Sequence, residues 1–305
     1  MSPPDLTLSR ALLDALGEAI GQTTGWPTTI ETAKPIGGGS ISRTLLVEAG
    51  QRPFFVKLNE AGKAPMFAAE ADGLAALAAC AALHVPRVVG QGTSDGQAWL
   101  ILEYLPLRPL RERADGISAG RALAELHRIT GDRYGWPRDN FIGSTPQPNA
   151  AQRTWPLFFA RQRLLPQIEL AKRRGHAGRL IDDGLRLAER LPALFLSHDP
   201  PPSLLHGDLW SGNVASDDSG RLAVFDPAVY HGDREADLAM TELFGGFPDS
   251  FYAAYRDAWP LADGYEQRKT LYNLYHVLNH LNLFGRGYLR EAERMTSRLL
   301  AELSG

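Results

Sequence analysis

The sequence predicts an α+β chain of two lobes, a small antiparallel sheet with one main helix followed by a larger, mostly helical lobe. Three observations predict it. Up to about residue 105, short β-branched and aromatic runs surround a single helical stretch. Beyond residue 106 the apolar spacing lengthens into helical periodicity. Two short apolar runs, 203–205 and 222–225, interrupt those helices, and each ends directly in an acidic or His-Gly-Asp element, as strand ends that present catalytic groups often do. The expected division is 1–105 and 106–305, in a length of 305 residues that suits about two domains.

In chain order, residues 29–35, 43–48, 53–58 and 98–103 read as strands, with Ala49-Gly50-Gln51 as the turn between the second and third. Residues 70–82 (EADGLAALAACAA) are rich in strong helix formers, place Leu74 and Leu77 on one face and stop before Pro86. Helical patterns follow at 119–127, 155–171, 182–191, 251–259 and 265–284. The Asp-Pro-Pro-Pro run at 199–202 reads as a stiff connector.

Composition narrows the function classes. Hydrophobic residues at 44% and charged residues at 22% describe a folded chain, neither disordered nor membrane-spanning. Lys plus Arg at 32 against Asp plus Glu at 35 gives a net charge of −3, which offers no attraction to nucleic acid or anionic lipid. One cysteine, Cys80, excludes an intramolecular disulfide and a thiolate metal cluster, and fits a reducing cytoplasm. The opening MSPPDLTLSR lacks the apolar core of a signal peptide, and the longest apolar stretch, 74–85, is far short of a membrane span. The expectation is a cytoplasmic protein with no nucleic-acid or membrane partner; the sequence says nothing of its oligomeric state.

Chemistry is carried by residues at fixed spacing. Gly37-Gly38-Gly39-Ser40-Ile41-Ser42 reads as G-x-G-x-x-S, where consecutive glycines let backbone N–H groups close over phosphates. Glycine triplets also occur in plain turns, so context decides. A dinucleotide loop leads into a helix and is followed about 20 residues on by an acid; here a strand follows and position 57 is Lys. The phosphate loop G-x-x-x-x-G-K-[ST] is also absent. Strand alternation puts Val56 and Leu58 on one face and Lys57 on the other. Glu70, at the start of the expected helix, either pairs with Lys57 to steady it against nucleotide phosphates, as the strand Lys and helix Glu do in protein kinases, or complements the helix N-terminus.

The strongest signal is His206-Gly207-Asp208-Leu209-Trp210-Ser211-Gly212-Asn213, with Asp226 at the end of an apolar strand. A kinase catalytic loop needs an Asp to accept the hydroxyl proton, an Asn five residues on to hold Mg²⁺, and a further strand-end Asp to take the metal that bridges the phosphates. Asp208, Asn213 and Asp226 meet all three spacings.

With these blocks the chain resembles the fructosamine kinase (ketosamine 3-kinase) family, close to the aminoglycoside phosphotransferase branch of the protein-kinase-like fold. The resemblance covers about residues 30 to 290 and rests on LHGDLWSGN (205–213), Asp226-Pro-Ala with YHGDREADLAMTELFGG (230–246), NFIGSTPQPN (140–149) with Trp155, Phe158 and Phe159, and LYNLYHVLNHLNLFGRG (271–287). It implies ATP and Mg²⁺ as cofactors and phosphorylation of the 3-hydroxyl of a small ketosamine, in repair of glycated amines. Asp208 would be the proton acceptor, Asn213 and Asp226 the metal ligands, and Glu103, Tyr104 and Leu105 the hinge whose backbone meets adenine. Lys57 and the loop at Gly37, Gly38, Gly39 and Ser40 would hold phosphates.

Two departures follow. Ser40 stands where some relatives have Cys, and Asp226 is followed by Pro-Ala, with no A-P-E triplet downstream, so neither a thiol in the glycine loop nor a phosphorylatable activation segment is expected. Trp210 offers a flat face to a ketose chain or is a packed core residue. Asp233 and Glu235 could face a substrate amine, and Asp237 is expected to brace the catalytic loop; all three could be ordinary loop and cap acids. A phosphotransferase for another hydroxylated amine and a non-catalytic nucleotide-binding pseudokinase remain as rival readings.

Overall fold

The computed structural model describes residues 8–37 and 41–303. The chain divides into two compact units, Met1–Ala79 with Val85–Leu107, and Cys80–His84 with Arg108–Gly305.

In the first unit, α1 (Arg10–Thr24) precedes β1 (Ile30–Pro35), β2 (Arg43–Ala49) and β3 (Arg52–Glu60), then α2 (Ala64–Leu77), β4 (Val88–Ser94) and β5 (Gln97–Glu103). The strands form one antiparallel sheet in the order β1-β2-β3-β5-β4. Alternation gives its two faces different helices. Leu12, Leu16 and Ile20 of α1 pack on Leu45, Val47, Val56, Leu58 and Ile101, whereas Phe67 and Leu74 of α2 pack on Ala98, Leu100 and Leu102.

The expectation of a single helix in this part is therefore corrected to two. The signal for α1 is local: Ser9 caps it by accepting from the Leu12 N–H at 3.2 Å, and Leu12, Leu16 and Ile20 recur every four residues. The helix expected at 70–82 instead begins at Ala64, with Pro65 in its first turn, and ends at Leu77. Beyond Leu77, Cys80–His84 belongs to the second unit: the His84 N–H donates to the Leu222 carbonyl at 2.8 Å, and the His84 carbonyl accepts from Val224 at 3.2 Å. Cys80 is buried there, outside any helix.

The second unit runs α3 (Arg113–His127), the hairpin β6 (Asn140–Ile142) and β7 (Thr145–Gln147), α4 (Trp155–Phe159), α5 (Leu165–Arg173), α6 (Arg179–Arg190), β8 (Ser203–Leu205), β9 (Val214–Ser216), β10 (Leu222–Val224), β11 (Tyr230–Gly232), α7 (Glu235–Leu243), α8 (Asp249–Ala258), α9 (Tyr265–Phe284) and α10 (Leu289–Glu302). β8 pairs with β11 and β9 with β10, so the chain between these strands is held at both ends. The core lies among Trp155, Phe158, Phe159, Tyr230, Leu271, Tyr272 and Tyr275.

The continuous helix expected at 155–171 is broken by one π turn, Ala160–Leu164. The cause is Pro166, which has no N–H to give the Gln162 carbonyl four residues earlier. That carbonyl takes the Arg163 Nη1 instead, at 2.7 Å.

Candidate active site

In the first unit, the glycine loop joins β1 to β2, as a strand-loop-strand motif requires. Its base is closed by the Ile36 N–H donating to the Thr44 carbonyl at 3.0 Å and the Thr44 hydroxyl donating to the Ile36 carbonyl at 2.6 Å. Gly37 has open space where a Cβ would stand; Gly38, Gly39 and Ser40 lie outside the described residues. Lys57 projects to the α2 face of the sheet, and its Nζ is 2.6 Å from Glu70 Oε1, with only 8% and 14% of the two side chains exposed. Glu70 sits in the middle of α2, not in its first turn, which removes the helix-terminus explanation for its charge. Glu103 closes β5, with its N–H on the Arg87 carbonyl at 2.8 Å; Tyr104, exposed, and Leu105, half-buried, continue as irregular backbone.

In the second unit, residues 206–213 connect β8 to β9. Their start is clamped by Asp237, near the N-terminus of α7, whose carboxylate accepts from the His206 N–H at 2.7 Å and the Gly207 N–H at 2.9 Å. His127 Nε2, 3.3 Å away, adds a third donor. Burial alone would push Asp237 up, but His127 and these backbone donors hold it below the usual carboxylate range. His127 is oriented in turn: its Nδ1 accepts from the Tyr255 hydroxyl at 2.7 Å, and that oxygen accepts from Arg234 at 3.0 Å. Gly207 has φ +83°, and a Cβ there would lie 2.1 Å from the Ala228 carbonyl oxygen, so the turn admits glycine alone. Burial lowers the His206 pKa and keeps the ring neutral. Nε2 then carries the proton toward the Phe225 carbonyl at 3.0 Å, and Nδ1 accepts from the Asp208 N–H at 3.3 Å.

Asp208, Asn213 and Asp226 are brought together by this frame. Asn213 Nδ2 donates to Asp208 at both its carbonyl, 2.9 Å, and Oδ2, 3.1 Å, which assigns the other end of the amide, Oδ1, to the side away from these two acceptors. Asp226 follows β10 with φ +57°, a left-handed conformation that a non-glycine residue adopts only when its surroundings fix it. Asp208 is pushed up to about 7, by burial first and then by the charge of Asp226, against the lowering hydrogen bond from Asn213. Trp210 is 37% exposed and not a core residue. Its ring lies across the loop, 2.3 Å from where a Gly212 Cβ would stand, so Gly212 is what lets the ring lie there.

Asp233 is the correction within the site. Expected to meet a substrate amine, its side chain is buried and its oxygens accept from His198 Nε2 at 2.7 Å, the Tyr272 hydroxyl at 2.5 Å and the Glu235 N–H at 3.0 Å. These bonds outweigh burial and hold its pKa down. His198, Asp233 and Glu235 offer three metal-type donor atoms within 4.8 Å, but Arg268 already spans both oxygens of Glu235, at 2.7 and 3.0 Å, and supplies the cation. His127, Tyr255 and His198 carried no sequence signal, because their partners lie tens of residues away along the chain.

Comparison with known proteins decides the family. The sequence profile described as fructosamine kinase matches residues 13–302. The chain belongs to the fructosamine kinase family. It is 45% identical to a protein of Synechocystis sp. named "Probable ketoamine kinase", over 96% of this chain and 98% of that one. It is 39% identical to a protein-ribulosamine 3-kinase of Oryza sativa subsp. japonica, over 92% and 84%. A crystal structure from Haemophilus somnus 129PT, named as a candidate fructosamine-3-kinase, superposes with a TM-score of 0.86 at 32% identity over 93% of this chain and 96% of that one. The aminoglycoside phosphotransferase APH(4)-Ia, at 17% identity and a TM-score of 0.61 over 95% and 98%, shares the protein-kinase-like α+β fold. No helix among the described residues is long and apolar enough to cross a membrane.

Proposed function

We propose that the chain is an ATP- and Mg²⁺-dependent kinase that transfers the γ-phosphoryl group to the 3-hydroxyl of a ketosamine, a fructosamine or ribulosamine formed when a sugar adds to an amine. Phosphorylation there makes the adduct labile, so the role is deglycation repair, in a reducing cytoplasm that suits a chain with one cysteine. The observation that carries the reading is the grouping of Asp208 and Asn213, on one braced loop, with Asp226 just past β10, in a chain whose relatives are named ketoamine and ribulosamine kinases.

Phosphoryl transfer asks chiefly for positioning and charge neutralisation. Lys57, steadied by Glu70, and the glycine-loop N–H groups hold phosphates; the backbone of Glu103, Tyr104 and Leu105 meets adenine. Asn213 Oδ1 and the Asp226 carboxylate are the hard oxygen donors that Mg²⁺ takes, and the repulsion between Asp208 and Asp226 is of the kind a divalent cation relieves. Held by Asn213 and Asp226, Mg²⁺ would supply the positive charge that neutralises the phosphates. Asp208 orients the attacking hydroxyl and receives its proton at the carboxylate as the P–O bond forms. A carboxylate is a far weaker base than an alkoxide, so the proton moves late. The exposed Trp210 ring offers its face to the linear ketose chain.

ADP release measured with fructoselysine, ribuloselysine and kanamycin tests the assignment. Turnover of the ketosamines and not of kanamycin is expected. Preference for kanamycin would move the substrate to another hydroxylated amine, and ATP binding without ADP formation on any ketosamine would make the chain a nucleotide-binding regulator.

A further inference from the structure

The block Asn140–Asn149 marks the family but has no role in the reaction above. It folds as the β6–β7 hairpin, and it buries three amide side chains, Asn140 at 5%, Gln147 at 1% and Asn149 at 0% exposure. Two of them reach the chain just past Asp226: Asn140 Nδ2 donates to the Val229 carbonyl at 2.8 Å, and Gln147 Nε2 to the Ala228 carbonyl at 3.1 Å. The Ala228 N–H donates in turn to the His206 carbonyl at 2.8 Å. Residues two and three beyond the strained Asp226 are thus tied both to the hairpin and to the catalytic loop.

An amide can point either end at a carbonyl, and only the NH₂ end binds it. The network fixes which end points where, and it does so from a donor that cannot reverse. Arg163 is fully buried, with no carboxylate partner among the described residues; its guanidinium lies 3.9 Å from the Tyr230 ring centre and 4.7 Å from that of Phe158. Its Nη2 donates to Asn149 Oδ1 at 2.7 Å, which turns Asn149 Nδ2 onto Asn140 Oδ1 at 2.8 Å. Asn140 Oδ1 also takes Gln147 Nε2, at 2.8 Å, so Asn140 Nδ2 must face Val229. The Tyr275 hydroxyl donates to Gln147 Oε1 at 2.6 Å and fixes the second amide in the same sense. Arg163 occupies the π turn that Pro166 imposes, a local device that recurs at functional sites.

We propose that Asn140, Gln147, Asn149 and Arg163 form a positioning clamp that holds the Asp226–Tyr230 segment in register with the catalytic loop, so that the Asp226 carboxylate is presented to the metal. The clamp rests on Asp226 being a metal ligand, and outer partners of a ligand typically tune metal affinity by about 10–100-fold. Gln147→Met removes both donations at nearly constant volume, and Gln147→Glu keeps the Tyr275 bond while removing them. In either folded variant, Mn²⁺ affinity in the presence of a non-hydrolysable ATP analogue, read by electron paramagnetic resonance, should weaken about tenfold. Turnover should recover in part at high Mg²⁺, whereas Tyr134→Phe, which loses only the buried bond to the Pro200 carbonyl, should leave metal affinity unchanged. Unchanged Mn²⁺ affinity in the Gln147 variants would overturn the clamp. Asp226→Asn separates the two ideas: if it abolishes Mn²⁺ binding while the Gln147 variants do not weaken it, the clamp alone fails; if it leaves Mn²⁺ binding intact, the ligand assignment fails and the clamp with it. Independently of any substitution, the side-chain amide protons of Asn140 and Gln147 should shift in the NMR spectrum when the Mg²⁺–analogue complex is added, and their indifference would overturn the clamp as well.

Discussion

The two units handle charge in opposite ways. In the sheet unit, Lys57 and Glu70 set opposite charges 2.6 Å apart on facing elements, a strand and a helix that pack through Leu100 and Leu74. In the helical unit, carboxylates face one another: burial and Asp226 together push Asp208 to about 7, and Asp237 stays ionised nearby only because three donors converge on it. An opposed pair holds its geometry by attraction; a like-charged pair must be held by the scaffold, which is why the second unit carries the left-handed Asp226, the glycine-only turn at Gly207 and the buried donors. The sheet unit thus presents a cation already steadied, and the helical unit presents anionic oxygens that repel one another.

The largest expected effect breaks the like-charged side. Asp208→Asn removes the proton acceptor while keeping the shape of the loop, so kcat should fall about 10³-fold with nucleotide affinity preserved. Steady-state kinetics beside calorimetric ATP binding check it; a kcat within tenfold of the parent would show that the carboxylate does not take the proton. A smaller effect tests the opposed pair. Lys57→Ala should lower kcat/KM about 10²-fold, as losing one preorganised donor does, and Glu70→Gln should lower it less, because the ammonium remains with a weaker anchor. If both variants retain the parent kcat/KM, the pair is a structural ion pair and the comparison loses its functional half.

The parts of this contrast that were legible in the sequence are those whose spacing the chemistry dictates. The five-residue step from Asp208 to Asn213 spans one loop and survives any detail of the surrounding fold, and strand alternation was enough to place Lys57 opposite Val56 and Leu58. Helix α9 was legible because apolar residues recur at helical spacing from Leu271 to Phe284, with Tyr265 less than two turns earlier. β4 was not: two glycines interrupt its sequence, VVGQGTS, and no strand is expected there, yet Gly92 is present because the Trp99 ring across the strand pair lies 2.5 Å from where a Cβ would stand. Asp233 was misread for a related reason. An acid in a loop looks exposed until His198, 35 residues earlier, and Tyr272, 39 residues later, are brought to it by the fold. The hairpin amides of residues 140–149 were visible as a block, but their targets, the carbonyls of Ala228 and Val229, leave no mark in the sequence because every residue type carries one.

The smallest effect concerns the histidines that the helical unit buries. Its buried histidines are neutral: burial lowers the pKa of His127, His206 and His276, the last to about 3. His276 is the cleanest probe, since it sits on α9 and its buried Nδ1 has no hydrogen-bond partner among the described residues. The charges acting on it are His280 and Arg163, which lower its pKa further, and Asp237, which raises it. A histidine depressed in the folded state and near 6.5 when unfolded stabilises the fold fully above pH 6.5. The unfolded chain binds the proton first as pH falls, so that stability is lost progressively from pH 6.5 toward 3, at no more than about 1.4 kcal/mol per pH unit for one group. Urea unfolding of the parent and of His276→Gln between pH 7.5 and 4.5 should therefore converge on acidification, because glutamine has no proton to gain. Curves that stay parallel across that range would show His276 to be protonated with equal ease in both states, and would place the acid sensitivity of this unit on His127 and His206 beside Asp237.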